Sequence, residues 1–547
     1  MSPTPELILC NAEVRTQDPG QPRARALAIA GGRITAVGDD VTILGLAGRG
    51  TRRLDLEGRL VLPGFMDSHF HFYDWSLYQD LAGVSSFQGL ETALAAAVAQ
   101  EVPGGWVLGQ GFNETDWPDG RIPEREDLDR VTGDVPTVIW RCDLHLAVAN
   151  TAALARAGLI GAGIDGPAIP DPPGGVIARD GTGRPTGVLR ETAINLVKDC
   201  IPQVSDGERL RAMEQAQERL HACGITALHD LRLKGERDAP RAMRLFQRLD
   251  REGRLAMRTW VSLPGERLDE AVALGLTAGF GSERLRLGHV KYFADGGMGA
   301  RTASVLEPYL DAGCGLSQMG VGESAAVLRT AEQAGLAVMI HAVGDRAVSE
   351  VISAFEVLQE WRSSPEARDV PSPPLMHRID HLQMVRPHDL ARLARLKVAV
   401  GMQPSNMVLD FNLIDRCLGD KGRYAYTFRS VLESGIPTLF NSDCPVSDPR
   451  PLMGIHALVT RQRPDSTPEG GWYPEQRISV EQAVAGYTST PALAYGVAQQ
   501  GRIGPGMLAD LAVLDRNIFA IEPREIQAAR VDLTLFNGRI VYERPGA

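Results

Sequence analysis

The stretch "SDGERLRAMEQAQERLHACGITALHD" (205–230) is where the fold can be read. Leu210, Met213 and Leu220 recur near helical spacing, the segment opens on Ser/Asp, and a glycine stops it, so an amphipathic helix is predicted. That helix runs directly into a short apolar strand, "ITALHD", that ends in polar residues. The same rhythm returns in "GESAAVLRTAEQAG" before "LAVMIHAVGD", in "HDLARLARLK" before "VAVGMQ", and in "YTFRSVLESG" before "IPTLFNSD". Helices alternating with unbroken apolar strands predict a parallel sheet covered on both faces. Candidate strands end near His69/His71, His229, Ser262, Lys291, His341, His381, Gln403 and Asp443. Eight parallel strands close into a (β/α)8 barrel of the TIM type, whose chemistry sits at the carboxyl ends of the strands. A doubly wound open sheet is the alternative. A further strand-like run, "TVIWRCD" (137–143), is assigned to a Trp-, Gly- and Pro-rich insertion at about 73–200.

Outside this region the pattern changes. Residues 1 to about 60 read as short strands with tight turns, "ELILCNAEV", "ALAIAGGRITAVG" and "TRRLDLEGRLVLPG", with Gly31-Gly32 as a hairpin signal. The last fifty residues repeat that style in "ADLAVLDRN" and "DLTLFNGRIVYER", with Asn537-Gly538 as another hairpin. The expected organisation is therefore a small β-sandwich domain built from 1–60 and 500–547, with a barrel domain over 61–499.

Composition limits the partners. Of the 547 residues 44% are apolar and 23% charged, the balance of a soluble enzyme, and no run approaches the ~18–20 apolar residues needed to cross a bilayer. The net charge of −11 comes from intermixed signs with no basic block, so neither nucleic acid nor membrane is an expected partner. Seven scattered cysteines without a C-x-x-C pair suggest neither a disulfide framework nor a thiolate zinc site. The start, "MSPTPELILCNAEV", shows no export signal, so the cytoplasm is the expected compartment.

The chemistry-bearing residues gather at strand ends. In "GFMDSHFHF" (64–72), alternation along a strand would put Asp67, His69 and His71 on one face, where two imidazoles can share a metal ion. Lys291 lies in "GHVKYFADGG", His341 in "VMIHAVGD", His381 in "RIDHLQ" and Asp443 in "FNSDCPV". Four imidazoles and a carboxylate at one barrel mouth suit zinc or a similar borderline ion. No G-x-S-x-G, P-loop or H-E-x-x-H motif is present, and "GAGIDG" (161–166) reads as a loop, not a dinucleotide fingerprint.

The segments "LPGFMDSHFH", "NETDWPDGRIP", "PPGGVIARDGTGRPTGVLRE", "VKYFADGGMGARTA", "IHAVGDRAV", "HRIDHLQ", "NSDCPVSDPRPL" and "GRIGPGMLADLAVLD" follow one another as in the YtcJ-like amidohydrolase family 3. The chain resembles that family, which includes N-substituted formamide deformylases, over nearly its whole length. The resemblance implies two divalent metal ions, expected to be zinc. His69, His71 and Asp443 would hold one and His341 and His381 the other, with a hydroxide and a CO₂-derived carbamate on Lys291 bridging them. It implies Asp443 as proton shuttle, a small-molecule substrate with a C–N bond of the amide, N-formyl or N-acyl kind, and a homodimer. His145 resembles a substrate-contacting histidine of the family, although Leu144 replaces the family's glycine. His229 and Arg301 are weaker candidates for substrate contact, and Trp75, Trp106, Trp117 and Trp140 either line a pocket or pack. Two alternatives stay open. A mononuclear deaminase on this fold carries Glu three residues after the fifth-strand histidine, where Gly344 stands here, with Asp345 beside it. A non-catalytic regulatory barrel would be expected to have lost ligands, and every ligand position is filled here.

Overall fold

The computed structural model describes residues 4–81, 84–99, 105–114, 117–142, 146–160, 169–172, 175–232 and 238–546. They fall into two compact bodies, Met1–Phe70 with Gln217–Ser442 and Pro449–Ala547, and His71–Ala216 with Asp443–Asp448. The insertion expected at about 73–200 lies within the second.

The first body holds an eight-stranded parallel sheet. Its strands are β1 Phe65–Phe70, β2 Ile225–Asp230, β3 Arg258–Pro264, β4 Leu285–Phe293, β5 Val338–Ala342, β6 Arg378–His381, β7 Ala399–Met402 and β8 Thr438–Phe440. Each pairs with its neighbour in chain order. All eight were legible as candidate strands. The ring is nearly closed: side chains, not a ladder, join the last strand to the first. Ser442 Oγ donates to Asp67 Oδ2 at 2.5 Å and Asn441 Nδ2 to Ser68 Oγ at 3.3 Å. The alternating helices form for the reasons the sequence suggests. Helix Asp206–His221 begins with a capping box in which Ser205 Oγ accepts from the Glu208 N–H at 3.2 Å and Glu208 Oε2 accepts from the Ser205 N–H at 2.8 Å. Gly224, Gly335 and Gly435 then take left-handed φ of 76°, 71° and 75°, which lets the chain turn from helix to strand without a Cβ penalty.

The same body contains two antiparallel-rich sheets built from both ends of the chain. In the six-stranded sheet, Leu60–Pro63 pairs antiparallel with Leu511–Leu514, so sequence neighbours of β1 are zipped to the C-terminal region. The four-stranded sheet consists of Leu7–Cys10, Ala26–Ala30, Arg33–Gly38 and Arg52–Asp55. Leu9, Leu27, Ile29 and Ile34 from one sheet and Val61, Leu511, Val513 and Leu533 from the other share a buried cluster. The hairpin turns fall where expected, with positive φ at Gly31 and Gly32 and at Asn537 and Gly538, the pattern of a type I′ turn. Arg258, at the start of β3, is buried and grips Asp510 through Nε and Nη2.

The second body has a six-stranded sheet in the order Gly175–Arg179, Pro185–Glu191, Leu146–Ala149, Thr137–Arg141, Val107–Phe112, Gln79–Asp80. Of the strand-like run "TVIWRCD", Thr137–Arg141 is a strand of this sheet and not of the eight-stranded one. Alternation buries both faces of this sheet. Trp106, Leu108, Val138 and Trp140 enter one cluster, and Val107, Ile139 and Trp117 enter the other. Those three tryptophans are packing residues. Among the described residues no helix is long and apolar enough to cross a membrane.

Candidate metal centre

In the first body, three histidines converge at the carboxyl ends of β1, β5 and β6. The ring centroids of His341 and His381 are 4.2 Å apart, and those of His69 and His381 are 5.1 Å apart. His69 is buried, its Nδ1 hydrogen-bonded to Asp380 Oδ2. His341 Nε2 lies 3.2 Å from the Gly296 carbonyl oxygen, a hydrogen bond that leaves Nδ1 as the atom able to ligate. His381 has a left-handed φ of 73°, and Leu382 after it 41°. Such backbone costs on the order of 1 kcal/mol for a non-glycine residue and recurs where geometry is set by function. Here it lets two consecutive residues, Asp380 and His381, both reach His69, which a regular strand with alternating faces does not permit.

Lys291 sits near the end of β4 with only 2% of its surface exposed, its Nζ 5.0 Å from the Phe293 ring centroid. Burial alone would push the Asp380 carboxyl up, but Arg378 and His69 outweigh it and hold the group well below the usual carboxylate range. Asp67, buried below His69, is pushed up to about 6 by burial, with hydrogen bonds from Ser442 and the His69 N–H opposing. Asp295, after β4, accepts from the backbone N–H groups of Ser304 (2.8 Å), Val343 (3.0 Å) and Gly344 (2.8 Å). Burial raises it to about 7. It ties the loop that follows β4 onto the turn that follows β5.

In the second body, His71 Nε2 lies 3.2 Å from Asp443 Oδ1, close enough for the two to share an ion. β1 ends at Phe70, so His71 is not a strand residue as alternation had suggested; it is the N-cap of the short helix Phe72–Trp75. Its N–H donates to the Cys444 carbonyl at 2.9 Å, which fixes it next to the Asp443 segment. Asp443 too has a left-handed φ, 56°.

The weaker candidates are placed elsewhere. His229 is fully buried within the barrel, its Nδ1 2.7 Å from the Tyr495 hydroxyl and its ring 5.3 Å from that of His289. Burial and the neighbouring His289 hold it well below the usual imidazole range, so it is a neutral interior residue and offers no exposed face to a substrate. The Arg301 guanidinium is engaged by both oxygens of Asp311 at 2.8 Å. His145 and the "GAGIDG" segment lie outside the described residues. Sequence reasoning missed Asp380, Arg378, Tyr495 and Asp295. The first two were within sight in "RIDHLQ" (378–383), since Arg378 and Asp380 share one face of β6.

Within the first body the clustered imidazoles of His69, His341 and His381 fit a divalent borderline ion, and within the second so do His71 and Asp443. The family model described as "Amidohydrolase family" matches residues 52–542. Among curated proteins the chain is 31% identical to Protein LONG AFTER FAR-RED 3 of Arabidopsis thaliana, over 98% of this chain and 91% of that one. It is 29% identical to the putative amidohydrolase YtcJ of Bacillus subtilis (90% and 91% covered). To the N-substituted formamide deformylase of Arthrobacter pascens it is 26% identical (99% of both). Among solved structures, an uncharacterized metal-dependent hydrolase from Pyrococcus furiosus superposes with a TM-score of 0.71 at 29% identity, covering 94% of this chain and 99% of that one.

Proposed function

Because the chain belongs to the amidohydrolase family, we propose that it is a metal-dependent hydrolase that splits the C–N bond of a small amide, most closely an N-formyl or N-acyl group. The observation that carries this reading is the grouping of His69, His341 and His381 within one body at three strand ends. The similarity to a formamide deformylase supports the substrate class, and the similarity to a metal-dependent hydrolase supports the metal.

In this reading His69, His71, His341, His381 and Asp443 hold two ions with Lys291, which joins as its carbamate. His69 and His71 are separated by one residue of continuous chain, and His71 already meets Asp443. Divalent metal bound there would lower the pKa of water toward ~7 and polarise a carbonyl oxygen. The chain's own residues do the rest. Asp443 takes the proton of the attacking water on a carboxylate oxygen and passes it to the nitrogen of the leaving amine. Asp380 and the Gly296 carbonyl keep the imidazole rings of His69 and His341 turned with one nitrogen each toward the ion.

The deaminase alternative meets a steric objection. A Cβ at position 344 would lie 2.0 Å from the Ser304 carbonyl oxygen, so the glutamate such enzymes use has no room there. Asp345, beside it, is already engaged: it accepts from the Leu306 N–H at 2.8 Å and from Arg386 Nε at 2.6 Å. The test is amine release from N-formyl, N-acetyl and N-acyl amino-acid amides by the zinc-loaded protein. Release that a chelator abolishes and zinc restores is expected. A zinc-loaded protein silent across the panel would overturn the substrate class.

A further inference from the structure

Beneath the ligand histidines runs a chain of buried polar groups of which the proposed chemistry uses only the Asp380 end. Asp380 bonds His69 Nδ1 with one carboxylate oxygen. Arg378 clamps both oxygens of Asp380, with Nη2 at 2.8 Å from Oδ2 and Nε on Oδ1. The same Nη2 donates to the Ser68 carbonyl at 2.7 Å, so one guanidinium holds both the backbone next to His69 and the carboxylate on its ring. Arg378 Nη1 donates to the Tyr495 hydroxyl at 3.0 Å, and that hydroxyl lies 2.7 Å from His229 Nδ1. None of His69, Asp380, Arg378, Tyr495 and His229 exposes more than 2% of its surface.

A guanidinium only donates, so the Tyr495 oxygen accepts from Arg378. The single Tyr495 proton has two acceptors in reach, His229 Nδ1 at 2.7 Å and the Ser68 carbonyl at 3.4 Å, and either choice leaves the hydroxyl tied to Arg378 and to His229. At the other end an ionised carboxylate only accepts, so the His69 proton sits on Nδ1 and Nε2 is left as the ligand atom. We infer that Asp380, fixed by Arg378 and Tyr495, is a positioning residue that locks the tautomer and ring angle of His69 for metal binding, with His229 as the far anchor of the relay. The inference rests on the metal centre proposed above. The relay also accounts for His229 standing at the end of β2, where the sequence offered it as a weak candidate for substrate contact.

A purely structural ion pair would stabilise the barrel without changing how the ion is held, and metal affinity measured apart from folding separates the two. Zinc affinity of the full-length protein is measured by competition with a chromophoric chelator, and thermal unfolding of the metal-free protein is followed beside it. Asp380→Asn is expected to weaken zinc binding about 10–100-fold. Tyr495→Phe removes a hydroxyl that bonds Arg378, His229 and the Ser68 carbonyl, and is expected to weaken it about 3–10-fold by loosening Arg378. Thr534→Val, in the terminal sheet, should lower the unfolding temperature and leave zinc affinity unchanged. If Asp380→Asn does not fold, Tyr495→Phe decides alone. Zinc affinity unchanged in Tyr495→Phe, with only the unfolding temperature lowered, overturns the relay. A wild-type protein that takes up no zinc overturns the metal centre itself, and the inference with it.

Discussion

Lys291 and Asp443 bear different burdens in the proposed site, and single substitutions should separate them. A protonated ammonium buried beside two dications would be repelled, which is why the proposed site gives Lys291 an anionic carbamate. Lys291→Ala is expected to lose one of two bound metals and most turnover, with partial recovery on adding a small carboxylate. Asp443→Asn should keep more metal yet lose roughly 10²–10⁴-fold in rate, because proton transfer goes with the carboxylate. Metal stoichiometry and turnover, measured side by side, check both. Gly344→Ala tests the loop clasp: the new Cβ would press on the Ser304 backbone, and a loss of about 1–3 kcal/mol in denaturant unfolding is expected, with activity falling as the Asp295 contacts are displaced. At this scale the sequence showed the strand-end histidines, because His-x-His and polar residues closing apolar runs are local patterns. It did not show Asp380. Strict alternation makes either Asp380 or His381 face inward, and only the left-handed backbone at His381 allows both.

Among the elements, β8 is the shortest of the eight strands, and the sheet closes through side chains next to it. Asp67 accepts from the Ser442 N–H, the Ser442 hydroxyl and the His69 N–H, so one carboxylate staples β1 to the end of β8. Ser442→Ala should cost about 1 kcal/mol, whereas Asp67→Ala strands buried donors and should cost roughly 2–4 kcal/mol. Urea unfolding of the two variants gives the comparison, and an Asp67→Ala protein as stable as Ser442→Ala would show the staple to be unimportant. The strands and helices themselves were legible because capping and glycine stops act within a few residues, as at Ser205, Glu208 and Gly224. The staple was not, since it joins residues 375 positions apart.

Over the whole molecule, buried histidines and buried carboxyls pull the response to acid in opposite directions. Burial lowers His221 to about 4 and His289 to about 3, so in the native state both stay neutral where the unfolded chain would protonate. Their contribution to stability is present above about 6.5 and is lost as pH drops toward 4, while Asp67 and Asp295, raised to about 6 and about 7, contribute stability that is present at low pH and lost as pH rises through those values. Denaturant unfolding between pH 4.5 and 7.5 isolates the histidine part as a difference: a His221→Gln variant should lose less stability on acidification than the wild type. Arg258→Met leaves the Asp510 carboxylate without its guanidinium, and a loss of roughly 3–5 kcal/mol is expected in the same measurement. The zipping of Leu60–Pro63 to Leu511–Leu514 has a further result, in the time it takes to make the chain. At ~5–20 residues per second a ribosome needs on the order of half a minute to a minute and a half to bring out the later strand after the earlier one. Throughout that interval the early strand lacks one of its neighbours and offers an open edge to other nascent chains. A cell making this protein thus has to shield a half-built sheet until Leu511–Leu514 emerges, and a chain cut short before Leu511 would never close it.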